Sequence, residues 1–128
     1  MLRVKQSKDL NVAANAAGRT YFAPSGAESG ETWLLKKVSI IPNVTSTANG
    51  TNYASIGVYK GASTSLVTPR TTASTDLTQG TAEDLSTTAK GQDLEITQAS
   101  PLSVRVSQAA SGVAVGFSIQ AEFEVIRS

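Results

Sequence analysis

The sequence predicts an all-β protein, and within that class an antiparallel β-sandwich. Three observations support this prediction. Apolar and polar residues alternate along several segments, which is the pattern of a strand with one buried face. No segment keeps the 3.6-residue period of an amphipathic helix. Gly, Pro and Asn separate the alternating segments, as turns do in sandwiches and barrels.

The alternation is longest at the end of the chain. Every odd position from Val113 to Val125 is apolar, and every even position is small, polar or acidic. A strand of this length extends roughly 40 Å, so we expect it to bend. Its outward side begins with small residues and ends with Glu122 and Glu124. We therefore expect the first half to be covered on both sides and the second half to reach an edge or an interface.

Other segments share the alternating pattern and are bounded by turn residues. The predicted strands are Arg19–Ala23, Thr32–Ile41, Tyr53–Tyr59, Gln92–Thr97 and Leu102–Val106. Leu102–Val106 and the final strand are predicted to form a hairpin. Residues 62–90 are rich in Ser and Thr, and they contain either two or three weak edge strands or a long surface loop.

This count gives about eight strands, which suits a jelly-roll-like sandwich or a seven-stranded immunoglobulin-like one. Residues 19–128 are assigned to the sandwich domain. Residues 1–18 contain few large apolar side chains and are predicted to form an extended N-terminal arm.

The strand Thr32–Ile41 has an irregular pattern, since large apolar residues fall on both of its sides. Either both faces are covered or a β-bulge switches the phase. Lys36 and Lys37 lie in its middle, so one lysine would face the buried side unless the strand bulges. The pair indicates an edge strand protected by charge, or a contact with an acid on a neighbouring subunit.

The composition argues against several kinds of chemistry. The 128 residues include no Cys and no His, so we expect no disulfide, no thiolate chemistry and no Ser-His or Cys-His nucleophile. The net charge is +1, and the nearest approach to a basic cluster is Arg3, Lys5 and Lys8. We therefore expect no nucleic-acid partner. No apolar run of transmembrane length and no secretory h-region occur, so we expect no membrane association.

The remaining candidates for chemistry have structural explanations. Glu122 and Glu124 could act as a pair of carboxylates, but an outward strand face needs charge for solubility. The loop acids are too sparse for a calcium loop. The sequence therefore predicts no catalytic residues, no metal site and no cofactor. Trp33, Tyr53 and Tyr59 are interpreted as core or interface anchors, with a sugar-stacking platform as the alternative.

Four segments carry a family resemblance: Trp33–Ile40, Ile56–Gly61, Asp93–Ile96 and Pro101–Val106. In strand pattern and composition they resemble small virion proteins of tailed bacteriophages, such as jelly-roll head decoration (cement) proteins. The resemblance covers roughly residues 19–128 and brings no diagnostic motif and no catalytic residues.

The resemblance implies a non-enzymatic protein that binds and stabilises the head lattice, often as a dimer or trimer. The expected partners are the major capsid protein or another virion protein, and further copies of the chain. The expected location is the surface of the phage particle, after synthesis in the host cytoplasm. A tail or fibre component and a carbohydrate-binding sandwich are the alternatives. Candidate interface residues are Leu2, Val4, Leu10, Val12, Trp33, Lys36, Lys37 and Tyr59.

Overall fold

The computed structural model describes residues 3–25 and 30–127, and it confirms an all-β fold of two antiparallel sheets arranged as a sandwich. The strands are β1 Arg3–Val12, β2 Gly18–Phe22, β3 Thr32–Pro42, β4 Tyr53–Lys60, β5 Thr64–Ser65, β6 Arg70–Thr71, β7 Glu83–Asp84, β8 Glu95–Ile96, β9 Leu102–Ala109 and β10 Val115–Arg127. The described residues contain no α-helix; Gly91–Leu94 forms a 3₁₀ helix.

The two sheets have matching strand orders. The first sheet runs β1-β10-β3, and both β7 and β8 pair with the outer edge of β3. The second sheet runs β2-β9-β4, and both β5 and β6 pair with β4. The first and last strands are therefore neighbours, and β1 to β4 alternate between the sheets.

The core fills the space between the sheets, and β10 contributes most to it. Its inward side chains are Val115, Phe117, Ile119, Ala121 and Phe123, each at most 2% exposed. They pack in one cluster with apolar residues of the second sheet, among them Phe22, Ile56, Val58, Leu102 and Val104. The alternation predicted for the final strand is confirmed over these five positions.

A β-bulge in β3 resolves the irregular pattern of that strand. Lys37 lies opposite Glu122 of β10 and Leu35 lies opposite Phe123, so Lys36 is the extra residue. The extra residue switches the phase of the strand. The apolar side chains before and after it are all buried: Trp33, Leu35, Val38 and Ile40. The bulge also explains how two adjacent lysines are both exposed.

The predicted hairpin of the final strands is wrong, because β9 belongs to the second sheet and β10 to the first. The second half of β10 does not reach an edge, which is one of the two positions expected for it; the other, an interface, stays a prediction. This half is paired with β1 on one side and with β3 on the other, including at Glu122 and Phe123.

The extended N-terminal arm is not confirmed. Arg3 to Val12 form the edge strand β1, which pairs residue by residue with β10 from Arg3↔Glu124 to Val12↔Val115. Val4 and Leu10 pack against the core and Val12 is part of it, at the alternating positions that a strand requires. A turn at Ala14 and Asn15 then leads into β2.

The segment 62–90 combines both of its predicted forms. It is a long connection that holds three two-residue strands, β5, β6 and β7. Leu66, Val67, Leu77 and Leu85 anchor it in the core. The strand predicted over Gln92–Thr97 is reduced to β8, because residues 91–94 form the 3₁₀ helix.

Candidate functional site

The predicted interface residues do not form one patch. Val4 and Leu10 are half-buried on the edge strand β1. Lys36 and Lys37 are exposed on β3, at the far side of the first sheet. Tyr59 is half-buried on β4 in the second sheet. Leu2 lies outside the described residues.

Two of the predicted interface residues are core residues, which corrects their assignment. Val12 is 6% exposed and Trp33 is 2% exposed. The Trp33 indole lies against Phe123 with ring centroids 5.1 Å apart, and its Nε1 donates a hydrogen bond to Glu31 Oε1 at 2.9 Å. The bulge in β3 turns Trp33 inward, so it can serve neither as an interface anchor nor as a sugar platform.

A cluster of arginine and tyrosine side chains lies on the outer face of the second sheet. We call it the arginine–tyrosine face and define it as Arg19, Tyr21, Tyr59 and Arg105. The pairing of β2, β9 and β4 assembles it from three strands: Arg19 is opposite Arg105, while Tyr21 and Tyr59 lie on either side of Ser103. Arg19 and Tyr21 are two residues apart in β2, whereas Tyr59 and Arg105 come from distant parts of the chain. Strand pairing brings the two pairs together on the sheet.

Hydrogen bonds and stacking hold Arg105 in place on this face. Its guanidinium carbon lies 4.5 Å from the centroid of the Tyr59 ring, within the range of a cation–π interaction. Nε donates to Ser103 Oγ at 3.0 Å and Nη2 donates to the carbonyl oxygen of Gly61 at 2.9 Å. Gly57 leaves room for the Tyr59 ring, because a Cβ atom there would lie 2.7 Å from Tyr59 Cε1.

The neighbouring strand supplies the more accessible half of the face. Arg19 is exposed, and its Nη1 donates to the Tyr21 hydroxyl at 3.2 Å. Tyr21 is 43% exposed, one of the few large apolar side chains at the surface. A shallow depression of about 320 Å³ adjoins both arginines, with Gly18 and Ser107 on its wall. A planar anionic group could enter here and meet guanidinium donors.

The charge of the second sheet favours an anionic ligand. None of its five strands contains Asp or Glu, whereas β2, β9 and β4 contribute Arg19, Arg105 and Lys60. The remaining basic residue, Arg70 of β6, is paired with Glu83 and adds no free charge. The strands of the first sheet contain acids as well as bases, for example Lys5 and Glu122.

Sequence reasoning missed Arg19, Tyr21 and Arg105, because the strand register is not visible in sequence. The lack of Asp and Glu in the strands of the second sheet was the feature of the sequence that could have indicated this face.

The outer face of the first sheet carries a second depression, a polar groove of about 490 Å³. Lys5, Glu122 and Lys37 lie side by side across β1, β10 and β3. Lys5 Nζ is 3.1 Å from Glu122 Oε1, and Lys37 Nζ is 3.7 Å from Asp84 Oδ1. Both lysines thus have acidic partners within the chain, so the groove presents mixed charge and favours no single class of ligand.

The acidic side chains are spread over the described part of the chain. Residues 3–25 and 30–127 hold no group of three or more His, Cys, Asp or Glu side chains placed to share a metal ion. Glu122 faces outward, as predicted, and pairs with Lys5. No helix in these ranges is long and apolar enough to cross a membrane.

Comparison with known proteins gives no family assignment. The chain matches no protein-family model and no curated protein. The geometry of the two sheets is therefore the remaining guide to the function.

Proposed function

We propose that the chain is a non-enzymatic structural protein of a tailed bacteriophage, and specifically a decoration protein that binds and stabilises the head lattice. The strand order carries this proposal. We interpret the orders β1-β10-β3 and β2-β9-β4, each completed by short strands, as a jelly-roll-like arrangement. Jelly rolls are common among viral capsid and lectin domains, which supports the same class of protein as the sequence resemblance.

The surface composition also supports an assembly component. Only 16% of the residues are charged, well below the usual quarter, and hydroxyl side chains take their place. Such a surface loses few charge–water contacts when it is covered by another protein. The proposed partner is the major capsid protein, and the proposed location is the outer surface of the particle.

Binding to heads tests the proposal directly. Heads purified from a phage strain that lacks the chain are mixed with the purified protein and sedimented. We expect saturable co-sedimentation and a higher temperature of head disruption. Absence of binding, with protein that is folded by circular dichroism, would contradict the decoration role.

The arginine–tyrosine face favours a second candidate, a tail or fibre component that binds an acidic glycan. Arginine recognises carboxylate and sulfate groups, and an exposed Tyr21 can stack on a sugar ring. Under this alternative, the double variant Arg19→Ala/Tyr21→Ala loses binding to an array of acidic polysaccharides. The matched control is Lys36→Ala, which removes an exposed cation from the first sheet. Equal binding by both variants would exclude a glycan site on this face.

A further inference from the structure

The strand β1 has one free edge. It pairs with β10 on one side, and no other described strand pairs with its opposite side. Along its ten residues, every second one therefore directs its N–H and C=O groups to the margin of the first sheet. A free edge of this length is a template for a further strand.

The side chains of β1 restrict what can pair with this edge. Outward positions include Lys5, Ser7 and Asp9, all exposed, while Val4 and Leu10 lie on the inward side and are half-buried. Asp9 makes no ion pair with any residue that the structure describes. A suitable partner strand would offer a cation opposite Asp9, an anion opposite Lys5 and apolar side chains opposite Val4 and Leu10.

A second copy of β1 meets all these requirements in one antiparallel register. We propose that two chains pair through their β1 edges about a two-fold axis at Ser7, which joins the two first sheets into one continuous sheet. Residues whose numbers sum to 14 then lie opposite each other. Lys5 faces Asp9 of the second copy and Val4 faces its Leu10, and two-fold symmetry forms each contact twice.

Neighbouring registers are unfavourable. The numbers of two opposite residues must add up to an even value, because only then do the cores of both copies lie on the same side of the joined sheet. An axis at Lys5, Lys8 or Asp9 places like charges directly opposite each other, which destabilises a strand pair. An axis at Gln6 places Val4 opposite Lys8. The register at Ser7 is the one that combines two ion pairs with two apolar pairs.

Lys8 does not obstruct this pairing. Its amine donates to the carbonyl oxygen of Tyr21 and lies 5.2 Å from the centroid of the Phe22 ring. The charge is thus directed across the sandwich to β2 and not along the free edge. In the joined sheet, Lys8 lies opposite the neutral amide of Gln6 from the second copy.

The proposed dimer is the homo-oligomer expected of a decoration protein. Its role in the particle rests on the proposed function, but its formation does not. The free protein tests it. Sedimentation equilibrium over a concentration series should show a monomer–dimer equilibrium. A protein that stays monomeric into the high micromolar range overturns the inference. A dimer without head binding leaves the inference standing and contradicts the decoration role.

Cysteine cross-linking tests the register, and the chain has no native cysteine to interfere. Ser7→Cys places two thiols on the axis, with Cβ atoms about 5 Å apart, so oxidation or a short bis-maleimide should give a covalent dimer. Asn11→Cys is the matched control, because Asn11 is exposed on the same face and belongs to none of these pairs. Its two thiols are offset by eight residues, about 26 Å along the strand, so no disulfide should form. Cross-linking of Asn11→Cys, or none of Ser7→Cys, overturns the register.

A charge reversal tests the ion pairs. Asp9→Lys places lysines opposite each other at both symmetric positions, and we expect the dimer dissociation constant to rise at least about tenfold at low salt. Asp93→Lys makes the same change in net charge at an exposed position in the 3₁₀ helix. An equal dissociation constant for the two variants would overturn the proposed edge.

Discussion

At the scale of single residues, Gly57 determines where the Tyr59 ring lies. The ring covers the α-carbon of Gly57 and is itself covered by the Arg105 guanidinium. A side chain at position 57 would push the ring away, because its Cβ would come 2.7 Å from Tyr59 Cε1 and 2.9 Å from the hydroxyl oxygen. The stacking on the arginine–tyrosine face therefore depends on this glycine.

We expect Gly57→Ala to lower the free energy of unfolding by about 1–2 kcal/mol, because the displaced ring loses its packing and its contact with Arg105. In a Tyr59→Ala background the same substitution should be neutral or stabilising, since alanine costs less backbone entropy than glycine. Urea unfolding of the four proteins in a double-mutant cycle measures this coupling. Additive effects would show that the ring is not held by Gly57.

Arg70 is the most connected charged residue in the described chain. Its Nε and Nη2 donate to the two carboxylate oxygens of Glu83 at 2.7 and 3.1 Å, and Nη2 also donates to the carbonyl oxygen of Asp76 at 2.8 Å. The side chain is only 15% exposed. Arg70 lies in β6, which pairs with β4 in the second sheet, and Glu83 lies in β7, which pairs with β3 in the first. This ion pair therefore connects the two sheets.

We expect Arg70→Ala to destabilise the fold by about 2–3 kcal/mol, because it removes the donor for the Glu83 carboxylate and for the carbonyl oxygens of Thr71, Thr75 and Asp76. Arg70→Lys should recover less than half of the free energy of unfolding that Arg70→Ala loses, since lysine lacks the forked geometry of the guanidinium. The matched control is Lys37→Ala, which removes an exposed ion pair at 3.7 Å and should cost at most about 0.5 kcal/mol. Chemical denaturation gives all three values, and a full recovery by lysine would contradict the forked geometry.

At the scale of elements, the bulge in β3 sets which residues enter the core. The single extra residue, Lys36, lets Trp33 and Leu35 face the same side as Val38 and Ile40. Without it, a strict period of two would turn one of these pairs outward.

Deletion of Lys36 should therefore be far more damaging than its substitution. We expect the deletion to cost at least about 4 kcal/mol, because it exposes buried apolar side chains or forces a register slip. Lys36→Ser should change stability by less than about 0.5 kcal/mol. Fluorescence of Trp33, the single tryptophan, reports the change. A deletion variant that unfolds at the same denaturant concentration would show that the bulge does not fix the phase.

Periodicity predicted individual strands well and their pairing poorly. The buried side of β10 follows from its odd-numbered residues, since a period of two is a local property. The hairpin of β9 with β10 was wrong, because a turn such as Ala109–Gly112 looks the same within a sheet and between sheets. The predicted arm was not confirmed. Its apolar residues Val4, Leu10 and Val12 are too few to show a strand pattern by themselves, and the pairing with β10 is visible only in the structure.

The candidate site was predicted less completely than the fold. Tyr59 was singled out, but Arg19, Tyr21 and Arg105 join it only through the pairing of β2, β9 and β4. Trp33 was interpreted as a core or an interface anchor, and the sequence left the two open because a bulge, which depends on tertiary packing, decides its side of the strand. Pairing and bulges both depend on distant parts of the chain, so a single sequence does not fix them.

At the scale of the whole molecule, the two sheets present different surfaces. The first sheet carries mixed charge and a free edge with self-complementary side chains. The second carries arginine and tyrosine with no acid in its strands. A molecule with one self-pairing edge and one cationic face can dimerise and still contact an acidic partner, which suits a component that covers a lattice.

Electron cryomicroscopy of the native particle shows directly whether this chain decorates a phage head. We expect density for a two-sheet sandwich on the outer surface of the head, at regular lattice positions and contacting the major capsid protein. Particles whose heads carry no such density, or in which the chain is found in the tail alone, would contradict the decoration role.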